Sequence, residues 1–160
     1  MIESLLDTLA ASPVAAALKA SQLAYPIVNA VHILGLATLF GSILGLDVVL
    51  IARPAGIDGS GLARLLPRVA AFGLATAVLS GLALFSVQPH DYAGNPAFRL
   101  KLGLVGLGIL HAAVARRTAG WQRLVRADAD RPEPRLRVTG AVSLAIWTAA
   151  VVSGRFIAFV

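Results

Sequence analysis

Tyr25-Pro26-Ile27-Val28-Asn29-Ala30-Val31-His32-Ile33-Leu34-Gly35-Leu36-Ala37-Thr38-Leu39-Phe40-Gly41-Ser42-Ile43-Leu44-Gly45-Leu46-Asp47-Val48-Val49-Leu50-Ile51-Ala52 decides the fold of this chain. In these 28 residues the only ionisable side chains besides the opening tyrosine are His32 and Asp47. As an α-helix the stretch is roughly 42 Å long, more than the ~30 Å hydrocarbon core of a bilayer. It therefore predicts a membrane-spanning helix that carries polar groups. Tyr25 suits the interface and Pro26 the first helical turn, while Arg53-Pro54 closes the span and Gly56, Gly59 and Gly61 make a turn.

The rest of the chain agrees. Of 160 residues, 58% are hydrophobic and only 14% charged, with a mean hydropathy of +0.80. Soluble domains run at about 45–50% apolar and ~25% charged, so lipid is the expected solvent and partner. The absence of cysteine excludes a disulfide framework and thiolate chemistry. Nucleic-acid binding is not expected, because the basic residues sit at helix ends.

Three more spans follow, at about 67–87, 97–116 and 137–160, after the first at 25–52. The second contains 19 uncharged residues from Val69 to Val87, with Pro67 and Arg68 at its start and Pro89 at its end. The third has Arg99 and Lys101 at its head, His111 in its middle and Arg116-Arg117 at its foot. Between these two, Gln88 to Pro96 reads as a loop bearing His90, Asp91, Tyr92 and Asn95. Trp121, Leu124 and Val125 predict one amphipathic turn, ended by Pro132 and Pro134. The fourth span carries Arg155 near its end. Residues 2–22 lack the positive start of a signal peptide, having Glu3 and Asp7 instead. Ile2, Leu5, Leu6 and Leu9 share a helical face, and Ser12-Pro13 reads as an N-cap followed by proline at N1. One or two short interfacial helices are expected there. The fold class is all-α: a single membrane domain, residues 1–160, built as an integral four-helix bundle with a short N-terminal interfacial helix.

Charge distribution sets the orientation. Four spans bring Lys19, Arg99, Lys101 and Arg155 to one side, 4 basic residues in all. Arg53, Arg64, Arg68, Arg116, Arg117, Arg123, Arg126, Arg131, Arg135 and Arg137, 10 in all, lie on the other. The positive-inside rule makes the second side cytoplasmic and places both termini outside a bacterial inner membrane. Small residues recur every fourth position, at Ala37, Gly41 and Gly45, at Gly73, Ala77 and Gly81, and at Ala141, Ala145, Ala149 and Ser153. They predict close helix packing. Gly35 and Gly41 near His32, or Gly103, Gly106 and Gly108, are alternatively glycines that make room for a flat cofactor.

Ionisable groups within spans are costly and mark candidate sites. His32, roughly 9 Å inside the outer edge, suits a haem or metal ligand, a proton relay, or a histidine hydrogen-bonded to a neighbouring helix. His111 is the second candidate axial ligand, but it lies ~20 Å down, which argues against a bis-His haem b site. Lys101 and Arg99, with Arg155 and His90, predict a basic outer rim suited to haem propionates, a quinone carbonyl or a lipid phosphate, or else ordinary interfacial anchoring. Asp47 is expected to pair with Arg68 or Arg116, or to relay protons, and helical phase turns it within about 60° of His32. No phosphate loop, zinc-ligand spacing or nucleophile motif occurs, so no enzyme activity is indicated or excluded.

Tyr25-Pro26, His32-x-x-Gly35, Gly41-Ser42, Leu46-Asp47, Tyr92-x-x-Asn95 and Phe98-x-x-Lys101, spread over about residues 20–115, resemble a family of small four-span bacterial membrane proteins described only as a domain of unknown function. The resemblance implies the four-helix fold and weight on His32, Asp47 and Lys101. In such relatives the place of His111 often carries Asn. An early-span His followed by Gly is also similar to haem-binding protoporphyrinogen-oxidase-like and copper-resistance membrane proteins. The functions expected are a b-type haem or redox subunit; a transporter or channel-like subunit; or an accessory protein, homo-oligomeric or bound to a membrane partner.

Overall fold

A computed structural model describes residues 2–52, 54, 56–127 and 133–159. Arg53, Arg131 and Pro132, which figure in the expectations above, lie outside the described residues, as does Val160. The described chain is helical, in the order α1 Ile2–Ala10, α2 Pro13–Ala20, α3 Ala24–Ala52, α4 Gly59–Phe85, α5 Pro89–Gly94, α6 Pro96–Arg117, α7 Ala119–Arg126 and α8 Pro134–Phe156, with no strand among the described residues. The helices α3, α4, α6 and α8 are long and apolar enough to cross a membrane. The chain is a multi-pass, all-α membrane protein.

Helix starts follow their caps. Ser12 Oγ accepts the Ala15 N–H at 3.2 Å and Pro13 opens α2, as the Ser-Pro pair predicts. Asn95 Oδ1 accepts the Phe98 N–H at 3.1 Å at the head of α6, and Thr118 Oγ1 accepts the Trp121 N–H at 3.3 Å at the head of α7. The second span differs from expectation. It begins at Gly59, because Asp58 Oδ1 accepts the N–H groups of Ser60 and Gly61, each at 3.0 Å. Pro67 is therefore inside α4. It removes one backbone donor, which long membrane helices tolerate where neighbours pack round the gap. The expected loop from Gln88 holds a short helix, α5, started by Pro89.

α3 is central. It packs on α4 and on α8, and α8 packs on α6, whereas α4 and α6 share no extensive contact. The α3–α4 seam is set by glycine. A Cβ on Gly73 would lie 2.5 Å from Leu39 N and 2.8 Å from Gly35 O, and one on Gly35 would lie 2.8 Å from Ala77 N. At the α6–α8 seam, Gly108 receives the Trp147 ring, 2.7 Å from where its Cβ would be. The small-residue stripes are thus only partly interfaces. Gly73 and Ala77 are buried, but Gly41 faces open space, and Ala141, Ala145 and Ala149 are exposed. That face is turned outward, because the bulky buried residues of α8, Leu136 and Trp147, fix a different side inward.

The arginine-rich end is closed by a cluster of Leu50, Ala63, Trp121, Leu124 and Leu136, which brings α7 across α3, α4 and α8. Arginines there serve as helix terminators: Arg137 Nε donates to Ile51 O at 3.0 Å near the end of α3, and an Arg64 nitrogen donates to Val125 O at 3.0 Å near the end of α7. Arg123 pairs with Glu133. At the opposite end α1 packs on α5, and the His90 ring bonds Glu3 at 3.3 Å and Asp7 at 3.0 Å.

Candidate functional site

Five residues before the arginine-rich end of α3, against α8, sits Asp47, with only 3% of its surface exposed. Ser143 of α8 hydrogen-bonds the carboxylate, while Oδ2 has no partner among the described residues. The expected ion pair is not made: no basic nitrogen lies within 4.0 Å of Asp47 among the described residues. Arg116 lines the same cavity without bonding the carboxylate, and Arg68 does not line it.

That cavity measures about 300 Å³ and lies between α4 and α6, in the half of the bundle nearer the arginine-rich end. Its apolar wall includes Ile43, Leu46, Leu66 and Leu74, with Trp147 and Trp121 beside it. Its polar groups are Ser42, Asp47, His111, Thr139, Ser143 and Arg116. Exposed Ala71 of α4 and Ile109 and Ala113 of α6 also line it, so it opens sideways between these two helices. A buried cluster of Leu39, Ala70 and Trp147, flanked by Phe40, Ile43, Leu74 and Val105, seals it from the other half of the bundle.

His111 donates from Nε2 to Thr139 O at 3.1 Å, five residues into α8 from its arginine-rich end. His32 lies in the opposite half. Its Nδ1 is 2.8 Å from Ala77 O and 3.2 Å from Ser80 Oγ, and Gly81 lies against its ring. The two imidazoles therefore stand in opposite halves of the bundle against different helices and do not face one another as a pair. Gly35, offered as room for a cofactor, is filled by the α4 backbone; Gly108 is filled by Trp147, and Gly103 and Gly106 face outward.

No family model, curated protein or solved structure matches the chain. Chemistry must then be assigned from the residues themselves.

The basic outer rim is not assembled as one site. Lys101 lies across Gly154 of α8, 3.3 Å from where its Cβ would be, and its charge reaches His32. Arg99 turns away to donate to Ala93 O at 2.7 Å, and Arg155 stacks on Phe159 at 4.7 Å. His90 is held by Glu3 and Asp7. Tyr92 belongs to an aromatic trio with Phe85 and Phe98, at centroid distances of 6.1 and 5.7 Å, that joins α4 to α6. Burial, then a hydrogen bond with Tyr25, push its phenol up to about 12. Asn95 is structural on both sides, since its Nδ2 also donates to Ile157 O at 3.1 Å. Among the described residues no group of three metal-ligating side chains forms.

Thr139, Ser143 and Trp147 were missed in the sequence. Their four-residue spacing on one face of α8 was the available signal.

Proposed function

We propose that this protein is a small proton-translocating carrier of a bacterial cytoplasmic membrane, with Asp47 as its working group and the arginine-rich end facing the cytoplasm. The orphan Oδ2 of Asp47 in a cavity between α4 and α6 supports this most directly. An ionised carboxylate buried without a cation is expensive, and the site relieves that cost by taking up a proton or a ligand. Polar groups form two layers. Asp47, Ser143 and His111 make the inner one, and His32, Ser80 and Lys101 the outer one, with the Leu39–Ala70–Trp147 cluster between them. Such a barrier, passed by movement of one helix pair against the other, is what alternating access requires.

The test is proton flux into liposomes that trap a pH-sensitive dye, driven by an imposed pH gradient. Wild type is expected to exceed empty liposomes, and Asp47→Asn to fall to their level. Flux that survives the substitution, or wild-type flux equal to the empty control, ends this proposal.

A second function has one observation in its favour. His32 Nδ1 is engaged by a carbonyl, which orients the ring and leaves Nε2 free, as in a haem-ligating histidine. Lys101 would then hold a propionate, with His32 as the axial ligand of haem b. Protein purified from cells supplied with haem precursor would show a Soret band that His32→Ala abolishes; without the band this alternative fails.

A further inference from the structure

We propose that the Asp47 cavity seats the single tail of an anionic amphiphile whose head is held at the mouth by Arg116 and Arg126, and that seating the tail is coupled to protonation of Asp47. This rests on the cavity being the ligand site of the carrier and names its occupant. A second cavity of about 250 Å³, lined by Arg116, Trp121, Gln122, Val125 and Arg126, shares Arg116 and Trp121 with the first, so the two adjoin. The other arginines that fold this end are occupied: Arg123 by Glu133, Arg64 and Arg137 by backbone carbonyls. Arg116 and Arg126 have no carboxylate within 4.0 Å among the described residues, and Arg126 reaches only Gln122 Oε1, at 3.4 Å. Two guanidinium groups at one mouth, without an acidic partner among the described residues, fit a phosphate, sulfonate or carboxylate head. Behind them the wall is aliphatic and indole, and the lateral opening between α4 and α6 admits a tail from the bilayer. At about 300 Å³ the cavity is at the small end for ligand sites, which favours one chain over two.

Asp47 couples the two events. A tail lying against an ionised carboxylate strips it of water and provides no counter-charge, whereas the neutral acid is tolerated. Binding therefore favours the protonated form, and by linkage low pH favours binding. The groups facing Asp47 leave this dependence to it and one neighbour. α6 contributes His111 and Arg116, α8 contributes Thr139, Ser143 and Trp147, α7 contributes Trp121, α3 adds Ser42, and the lining residues of α4 carry no charge. Arg137 of α8 is held at Ile51 O.

Both tryptophans of the chain, Trp121 and Trp147, line the cavity, so a brominated tail reports its own arrival. The experiment titrates full-length protein in zwitterionic-lipid nanodiscs with an ω-brominated dodecyl sulfonate, whose head keeps its charge at every pH used, and follows indole quenching. Saturable quenching is expected, with affinity rising by up to about tenfold per unit fall in pH. Asp47→Asn is expected to bind tightly with most of that slope gone, any remainder being traced with His111→Gln. Arg116→Gln combined with Arg126→Gln is expected to weaken the sulfonate by about tenfold or more while leaving ω-brominated dodecanol unchanged. A pH-independent wild-type affinity overturns the proposal whether or not any variant folds. So does tighter binding of a brominated dodecyltrimethylammonium, which would make Asp47 a cation site, or displacement of the sulfonate by millimolar inorganic phosphate, which would make the tail irrelevant. Failed quenching with proton flux intact sinks the amphiphile and leaves the carrier; quenching without flux does the reverse.

Discussion

Replacing Gly73 by alanine tests the seam that holds α3 against α4. The new Cβ would stand 2.5 Å from Leu39 N and 2.8 Å from Gly35 O, both backbone atoms that no rotamer change can move. Ordinary contact begins at 3.4 Å, so α3 must retreat by about 0.9 Å, the difference between 3.4 and 2.5 Å. A gap of 0.5–1 Å forfeits roughly a quarter to a half of each dispersion contact along the seam. Overpacking typically costs about 1–3 kcal/mol, and a rigid backbone neighbour puts Gly73→Ala in the upper part of that range. The control is in the same protein. Gly103 and Gly106 have nothing within 4 Å of their would-be Cβ atoms, so alanine there is expected to be neutral or to stabilise by up to ~1 kcal/mol through helix propensity. Thermal unfolding in a mild detergent, followed by circular dichroism, measures both. At about 2–4 °C per kcal/mol, the Gly73 variant is expected to melt several degrees lower and the other two at or above wild type. Equal melting of Gly73→Ala and Gly103→Ala would refute the close approach of α3 and α4.

The other expectations are smaller. Tyr92 is one of two tyrosines, so a phenolate absorbance titration is expected to show one group ionising late, near 12, and Tyr92→Phe to abolish that step. Because its folded value lies above the ordinary ~10, the stability it confers is whole below pH ~10 and is lost as pH climbs toward about 12. The reverse sign applies at Asp58, whose carboxylate is held below its usual range chiefly by the Gly61 N–H and then by the Ser60 hydroxyl. Its cap is complete above pH ~3.9 and lost as pH falls through the lower folded value, so acid melting curves of wild type and Asp58→Asn are expected to converge. Removing the Arg137 tie to Ile51 O by Arg137→Gln is expected to cost roughly 0.5–1 kcal/mol and to raise hydrogen exchange in the last turn of α3.

How far the fold was legible follows from what each residue type constrains. Lipid-length apolar runs bounded by Pro, Arg and Gly are one-dimensional signals, and α3, α6 and α8 follow them. Pro67 misled because proline usually marks an end, and the stronger local rule, the Asp58 cap, lies nine residues earlier. The small-residue period was visible, yet a period does not say which face meets a neighbour. Trp147 and Leu136 decide that on α8, turning Ala141, Ala145 and Ala149 outward. For Asp47 the charge directed attention to arginines, while the partner was a serine on the last span. Hydroxyls in a hydrophobic run carry no label until the helices are packed.

Within the bilayer the informative distinction is between a polar group whose bonds are made and one whose bonds are missing. His32 was the more conspicuous residue in the sequence, and its Nδ1 is already satisfied by Ala77 and Ser80, so this nitrogen has a packing role. His111 is likewise anchored on Thr139. Asp47 has one bond where an ionised carboxylate accepts several, and it lies among aliphatic walls with Oδ2 unpartnered among the described residues. If packing were its purpose, asparagine would keep the Ser143 bond at far lower desolvation cost. Asp47→Asn is accordingly expected to stabilise the bundle while removing proton flux. A variant that melts lower than wild type would instead assign the carboxylate a structural role and return attention to His32.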